Sequence, residues 1–118
     1  MRIFKKKVLI LGGSSDIGLE LTKKFLEKDI YNIDLHYHSN IKNIKKIKNK
    51  CNLIKADLSA SNYKNTLKKF DKNYDIIVNL VGYINNKSFE KFTIESLEKT
   101  LRINSLIPLL IIRMSLTK

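Results

Sequence analysis

Apolar residues along this chain recur at two alternating spacings. Val8-Leu9-Ile10-Leu11 is an unbroken apolar run, short enough for a strand buried on both faces, and Gly12-Gly13-Ser14-Ser15 punctuates it. Behind that turn Leu19, Leu21, Thr22, Phe25 and Leu26 recur at helical spacing opposite Glu20, Lys23, Lys24, Glu27 and Lys28, which predicts a helix ending near Lys28-Asp29. Asn32 to Tyr37 alternates as a second strand, closed by the polar turn His38-Ser39-Asn40. Ile41, Ile44 and Ile47 give a short helix one apolar edge among lysines, and Asn52 to Ala56 reads as a third strand. Asn62 to Lys72 sets Tyr63, Leu67 and Phe70 on one helical face, and Tyr74 to Gly82 supplies a fourth strand with its exit, expected as the central one. Thr93 is placed to cap a long helix from Ile94 to about Leu116. Within it Leu97, Leu101, Asn104 and Pro108 fall at spacings of four, three and four, a stripe expected to face inward. Strands alternating with helices predict an α/β fold with a parallel sheet.

The turn from Gly12 to Gly18 carries the first chemistry. Gly12 suits a tight exit from the strand, where a Cβ would clash, and Gly18 lets the helix lie close to the sheet or to a ligand. The unpaired N–H groups of the helix's first turn, with about half a positive charge of dipole, then point at an anion. A dinucleotide pyrophosphate is such an anion, which makes the fold Rossmann-like and doubly wound and makes Gly12, Ser14, Ser15, Asp16, Ile17 and Gly18 candidates for holding it. Asp16 is expected to cap the helix by accepting a backbone N–H.

Gly12, three residues, Asp16, one residue and Gly18 is the long form of a glycine turn, and it resembles the Thr-Gly-x-x-x-Gly-x-Gly of the short-chain dehydrogenase/reductase family, with Leu11 at the threonine and Asp16 at the middle glycine. Three later features fall in the same order as in that family. Asp57-Leu58, ending the third strand, matches an aspartate and apolar residue that contact the adenine ring. Asn79-Leu80-Val81-Gly82 resembles Asn-Asn-Ala-Gly, matching the first asparagine and the glycine. Asn104, in the context Ile103-Asn104-Ser105-Leu106-Ile107-Pro108, matches an active-site asparagine whose helical turn holds a water leading to the catalytic lysine. The resemblance implies a cofactor site built from the glycine turn, Tyr37, His38, Ser39, Asp57, Leu58, Asn79, Val81 and Gly82, with Asn104 as the catalytic-site residue present. It also implies a catalytic serine and a Tyr-x-x-x-Lys, which are not found in this chain. Tyr83 and Lys87 have that spacing but sit in a polar loop with Asn85 and Asn86, where chance explains them better. The expectation is therefore an NAD(P)-binding Rossmann domain over residues 1–118, the N-terminal half of a reductase truncated at its C-terminus, with four strands and their helices.

Which cofactor is expected follows from the end of the second strand. NAD-selective domains place a carboxylate there for the ribose 2′-hydroxyl. Tyr37 occupies that position, with His38, Ser39, Asn40 and Lys42 just beyond, so donors and no carboxylate stand there and NADP is favoured over NAD. Asp34 lies three residues too early, inside the strand, and needs a partner. His36 and His38 lack further ligands, and no metal site is expected.

Composition changes this picture little. The net charge of +12 would suggest nucleic acid, yet 20 of the 23 basic residues are lysine, and lysine, asparagine and isoleucine fill 49 of 118 positions, as A/T-rich codons would. The lone Cys51 excludes an internal disulfide and suits a reducing cytoplasm, with an apolar filler role. The apolar run behind the basic start Met1-Arg2-Ile3-Phe4-Lys5-Lys6-Lys7 is too short for an export signal, and Leu106 to Ile112 is too short to span a bilayer. The activity expected from the resemblance is hydride transfer between nicotinamide and a small-molecule carbonyl or alcohol, by a cytoplasmic protein that forms a homo-oligomer at full length, with the 118 residues alone inactive. A non-catalytic dinucleotide-binding or regulatory protein and a basic nucleic-acid-binding domain are the alternatives.

Overall fold

The computed structural model of the chain describes residues 4–117. Of the basic start from Met1 to Lys7, Met1 to Ile3 lie outside them, and Lys6 and Lys7 open the first strand. β1 (Lys6–Leu11) leads through the glycine turn into α1 (Asp16–Leu26), and β2 (Tyr31–Tyr37) through a 3-10 turn (Lys42–Ile47) into β3 (Asn52–Lys55). α2 (Tyr63–Leu67), prolonged by a 3-10 turn (Lys68–Phe70), returns the chain to β4 (Ile76–Asn79). A 3-10 turn (Phe89–Lys91), α3 (Ile94–Leu101), a π turn (Arg102–Leu106) and α4 (Ile107–Leu116) complete it.

All pairings are parallel and the strand order is β3-β2-β1-β4. β4 is therefore an edge strand of the described sheet and not its centre. The first crossover carries the chain from β1 outward to β2 and β3, and only after β3 does it come back to pair on the other side of β1. That reversal is what opens a crevice at the carboxyl ends of β1 and β4.

Val8 to Leu11 are fully buried because both sheet faces are covered. Leu9 and Leu11 pack with Ile54, Phe70, Ile107 and Ile111 on one face; Val8 and Ile10 pack with Ile33, Leu35, Ile44 and Ile47 on the other. Each such side chain contributes about 1.5–3 kcal/mol by leaving water.

The long C-terminal helix departs from expectation twice. It is broken by the π turn, in which the Ile107 N–H reaches back to the Arg102 carbonyl. Pro108 is the cause: it has no N–H for the Asn104 carbonyl four residues earlier, and its ring would clash there in a regular ladder. The extra residue in the turn also rotates the stripe. Ile103, Ile107, Ile111 and Ser115 face the sheet, whereas Leu97, Leu101 and Asn104, expected inward, are exposed, Leu101 by 64%. Of the expected stripe Pro108 alone is buried. Among the described residues no helix is long and apolar enough to cross a membrane.

Candidate functional site

The glycine turn sits at the reversal of strand order. Gly12 has φ 78°, a left-handed conformation that suits glycine, and a Cβ there would meet the Leu80 carbonyl at 3.1 Å. A Cβ on Gly18 would lie 2.7 Å from the Gly12 oxygen and from Gly13 Cα, so α1 can rest on the turn only without one. Ser15, and not Asp16, is the helix cap: its Oγ accepts the Gly18 N–H at 3.0 Å. Asp16 is already the first helical residue, past the extended backbone a cap requires. It accepts instead from Asn43 Nδ2 at 3.3 Å, while the same amide donates to the Ser14 carbonyl at 3.0 Å. The Ser14, Asp16 and Ile17 N–H groups have no partner among the described residues, and the Ile17 side chain is 71% exposed.

His36, on β2, buttresses this turn from beneath. Its Nδ1 accepts the Gly12 N–H at 3.0 Å and its Nε2 lies 2.9 Å from the Ala56 carbonyl at the exit of β3. Burial holds its pKa below the usual histidine value, with the nearby charges of His38 and Lys69 adding to the effect and the bond to Ala56 opposing it.

Beyond Ala56, Asp57 Oδ1 accepts from the Ser59 N–H at 2.9 Å and the Ser59 hydroxyl at 2.6 Å, which turns the chain away from the sheet. These two bonds hold the carboxyl below its usual range, and His38 and Lys99 add to the effect. Its Oδ2 is 3.9 Å from His38 Nε2. Asp57, Leu58, His38, Val81, Gly82, Tyr83 and Lys99 border one open cleft of about 300 Å³. Lys99 lies 4.5 Å from the centroid of the Tyr83 ring.

The profile of the family described as short chain dehydrogenase matches residues 6–118. The chain belongs to the short chain dehydrogenase family. No curated protein matches it by sequence. Among solved structures it is similar to BdcA in complex with NADPH (TM-score 0.78, 20% identity, 98% of this chain against 48% of that one). It is similar also to a short chain dehydrogenase from Burkholderia cenocepacia in complex with NADP (0.76, 19%, 99% against 52%). A third is the NADPH-bound carbonyl reductase from chicken fatty liver (0.71, 16%, 98% against 49%). The chain thus spans about half the length of the solved short chain dehydrogenases it matches.

Within this dehydrogenase fold the residues singled out from sequence gather at the carboxyl end of the sheet. Tyr37 is half-buried there, with His38 and Ser39 exposed beside it. Asn79 ends β4, and its side-chain oxygen accepts the Val81 N–H at 3.1 Å in a local turn. Gly82 faces open space, Asn104 Oδ1 being the nearest atom a Cβ would meet, at 3.9 Å. Asn104 itself clamps the loop: Oδ1 accepts the Tyr83 N–H at 2.7 Å and Nδ2 donates to the Tyr83 carbonyl at 2.8 Å. Tyr83 and Lys87 lie in that loop and share no helix.

Two contributors escaped the sequence. The signal for His36 is its place on an alternating strand, two residues before the polar turn, which marks it as a buried polar group near the site. Asn43 gave no signal, because a single asparagine among lysines has many solvated uses. Among the described residues no cluster of three His, Cys, Asp or Glu could hold a metal ion.

Proposed function

We propose that this chain is the dinucleotide-binding portion of an NADP-dependent oxidoreductase. The observation that carries the reading is the set of unpartnered N–H groups of Ser14, Asp16 and Ile17 above the Gly12–Gly18 contact, an approach of helix to turn that a Cβ on Gly18 would prevent. Gly12, Ser14, Ser15, Asp16, Ile17 and Gly18 hold the pyrophosphate there. Asp57, a carboxylate with one oxygen unused by Ser59, accepts from the adenine amino group, with Leu58 and Val81 against the ring. Asn79 and Gly82 shape the passage toward the nicotinamide ribose. At the end of β2 the exposed residues His38 and Ser39 bring donors and no carboxylate, which suits a 2′-phosphate beside Tyr37.

The bound nicotinamide supplies or accepts hydride at a carbonyl or alcohol. Asn104 keeps the Tyr83 loop in place at the edge of that site, and its position in the π turn frees the local backbone from the regular ladder. The family match and the three NADP- or NADPH-bound relatives favour this reading over a nucleic-acid-binding role for the lysines.

Titration with NADPH and NADH, followed by nicotinamide fluorescence, tests it. NADPH is expected to bind the tighter of the two. Equal affinities would remove the NADP preference, and no binding of either would remove the dinucleotide reading.

A further inference from the structure

The His36 ring is held at both nitrogens by main chain, and the two bonds leave no choice of tautomer. A peptide N–H only donates, so Nδ1, accepting from Gly12 at 3.0 Å, carries no proton. A carbonyl only accepts, so Nε2, 2.9 Å from the Ala56 oxygen, carries it. The main chain of β2 continues the brace: the His36 carbonyl accepts the Gly13 N–H at 2.8 Å, and the Tyr37 carbonyl the Ala56 N–H at 3.0 Å. Two successive amides of the glycine turn and the exit of β3 are thereby fixed to one residue, 4% exposed, whose ring meets Phe70 edge-on at 5.8 Å.

We propose that His36 is a positioning residue of the dinucleotide site: its neutral Nε2–H form locks the pyrophosphate turn to the adenine end of the cleft, and protonation of the ring releases that lock. The proposal rests on the dinucleotide reading only for its consequence, since the lock itself exists without ligand. An imidazolium would aim a second N–H at the Gly12 N–H, donor against donor, and free the amide of the one residue of the turn that holds a left-handed backbone. The surroundings oppose that charge. His38, just past the same strand, and Lys69, after α2, both disfavour it. Across the cleft stand Lys99 of α3, Tyr83 and Asp57, the last a carboxylate already engaged by Ser59. From β1 the same sheet face brings Leu9 and Leu11, with Lys7 further toward the amino end, and Asp34, two residues back on β2, is engaged by Tyr74, Lys72 and Asn52.

The direction in pH follows. The folded ring titrates below the ordinary value of 6.5 because it is buried, so its contribution is complete above that value and is lost as pH falls through it toward the folded value.

The test uses the ligand-free chain labelled with nitrogen-15, followed by NMR from about pH 8 down to the pH at which the His36 ring has taken up its proton, with a parallel titration by oxidised NADP. The expected ring signals are those of the Nε2–H tautomer at the high end, and the Gly12 amide shifts and loses exchange protection with the midpoint of the ring. His36→Asn, which keeps an acceptor for Gly12 and cannot titrate, is expected to retain that protection without the step. His36→Phe loses it throughout the range. Affinity for oxidised NADP should fall about tenfold more across the range in the wild type than in His36→Asn, as the loss of one buried hydrogen bond would give. An Nδ1–H tautomer, a Gly12 amide indifferent to the ring's midpoint, or the same pH profile in His36→Asn and wild type would each overturn the lock. A wild type that shows the coupled Gly12 step but binds no oxidised NADP at any pH would leave the lock standing and remove the dinucleotide reading instead.

Discussion

Asp34 and His36 lie two residues apart on β2, on the same face of the sheet, and yet they belong to opposite kinds of surroundings. Asp34, toward the amino ends of the strands, is saturated. It accepts from the Tyr74 hydroxyl at 2.6 Å, Lys72 Nζ at 2.9 Å and Asn52 Nδ2 at 3.1 Å. Ser115 of α4 closes the same end by accepting the Tyr74 N–H at 2.6 Å, and Asn73 donates to the Ser115 carbonyl at 2.9 Å. His36, toward the carboxyl ends, holds main chain in place beneath a turn whose next three free N–H groups stay unpaired. One end of the sheet is finished by its own side chains; the other is finished except where an anion fits. A parallel sheet produces this asymmetry, since every helix begins at the carboxyl end and leaves its first N–H groups there.

The comparison breaks most severely at Gly18. Gly18→Val puts a branched side chain where backbone atoms lie 2.7 Å from the Cβ position, and neither Gly12 nor Gly13 can retreat without moving β1 or β2. A loss of about 3 kcal/mol in chemical unfolding is expected, together with loss of dinucleotide binding. At the finished end Asp34→Ala leaves the hydroxyl of the buried Tyr74 without its acceptor and is expected to cost about 2 kcal/mol while leaving NADPH affinity unchanged. A loss of affinity as large as the loss of stability would show that the two ends are not separable.

The same residue gives a pH signature. Burial alone would raise the Asp34 carboxyl, but the bonds from Tyr74, Lys72 and Asn52 outweigh it and hold the group below 3.8. Its contribution is then complete above pH 3.8 and is lost as pH falls through that value, so acid unfolding should be shallower in Asp34→Ala than in the wild type.

Smaller effects sharpen the contrast. Asn104→Ala removes both bonds to Tyr83 on the ligand side and should cost about 1 kcal/mol, visible mainly as faster exchange of the Tyr83 amide. The smallest is at Cys51, whose thiol is pushed up to about 11 by burial and by the Asp34 charge. Only roughly one thiol in a thousand is ionised at pH 8, so alkylation should be very slow, and Asp34→Ala should quicken it.

Much of the fold was legible because its local signals agree with the tertiary answer. The run Val8 to Leu11 has no polar face and is buried on both, and Thr93 caps α3 by a reciprocal bond pair with Ser96. The site was legible as a set of positions, since strand ends can be counted from sequence and all the residues named there lie at the carboxyl end. Their bonding was not. The sequence points to Asp16 as the cap, and only the extended backbone at Ser15 moves the cap one residue back. The stripe through Leu97, Leu101 and Asn104 assumed 3.6 residues per turn throughout, and Pro108 breaks that period one turn earlier in the chain than its own position. Asp34 had no visible partner because Tyr74 and Lys72 lie about 40 residues away and reach it only across the sheet.

What the sequence by itself determined is the order of elements and the chemistry at each strand end: spacing sets the elements, and glycine, proline and capping side chains act within a few residues of themselves. What only the tertiary structure decided is which polar groups are spent on one another and which remain free. Asp34 is consumed and the Ser14, Asp16 and Ile17 N–H groups are left over, because parallel pairing in the order β3-β2-β1-β4 brings distant side chains to one end of the sheet and helix starts to the other.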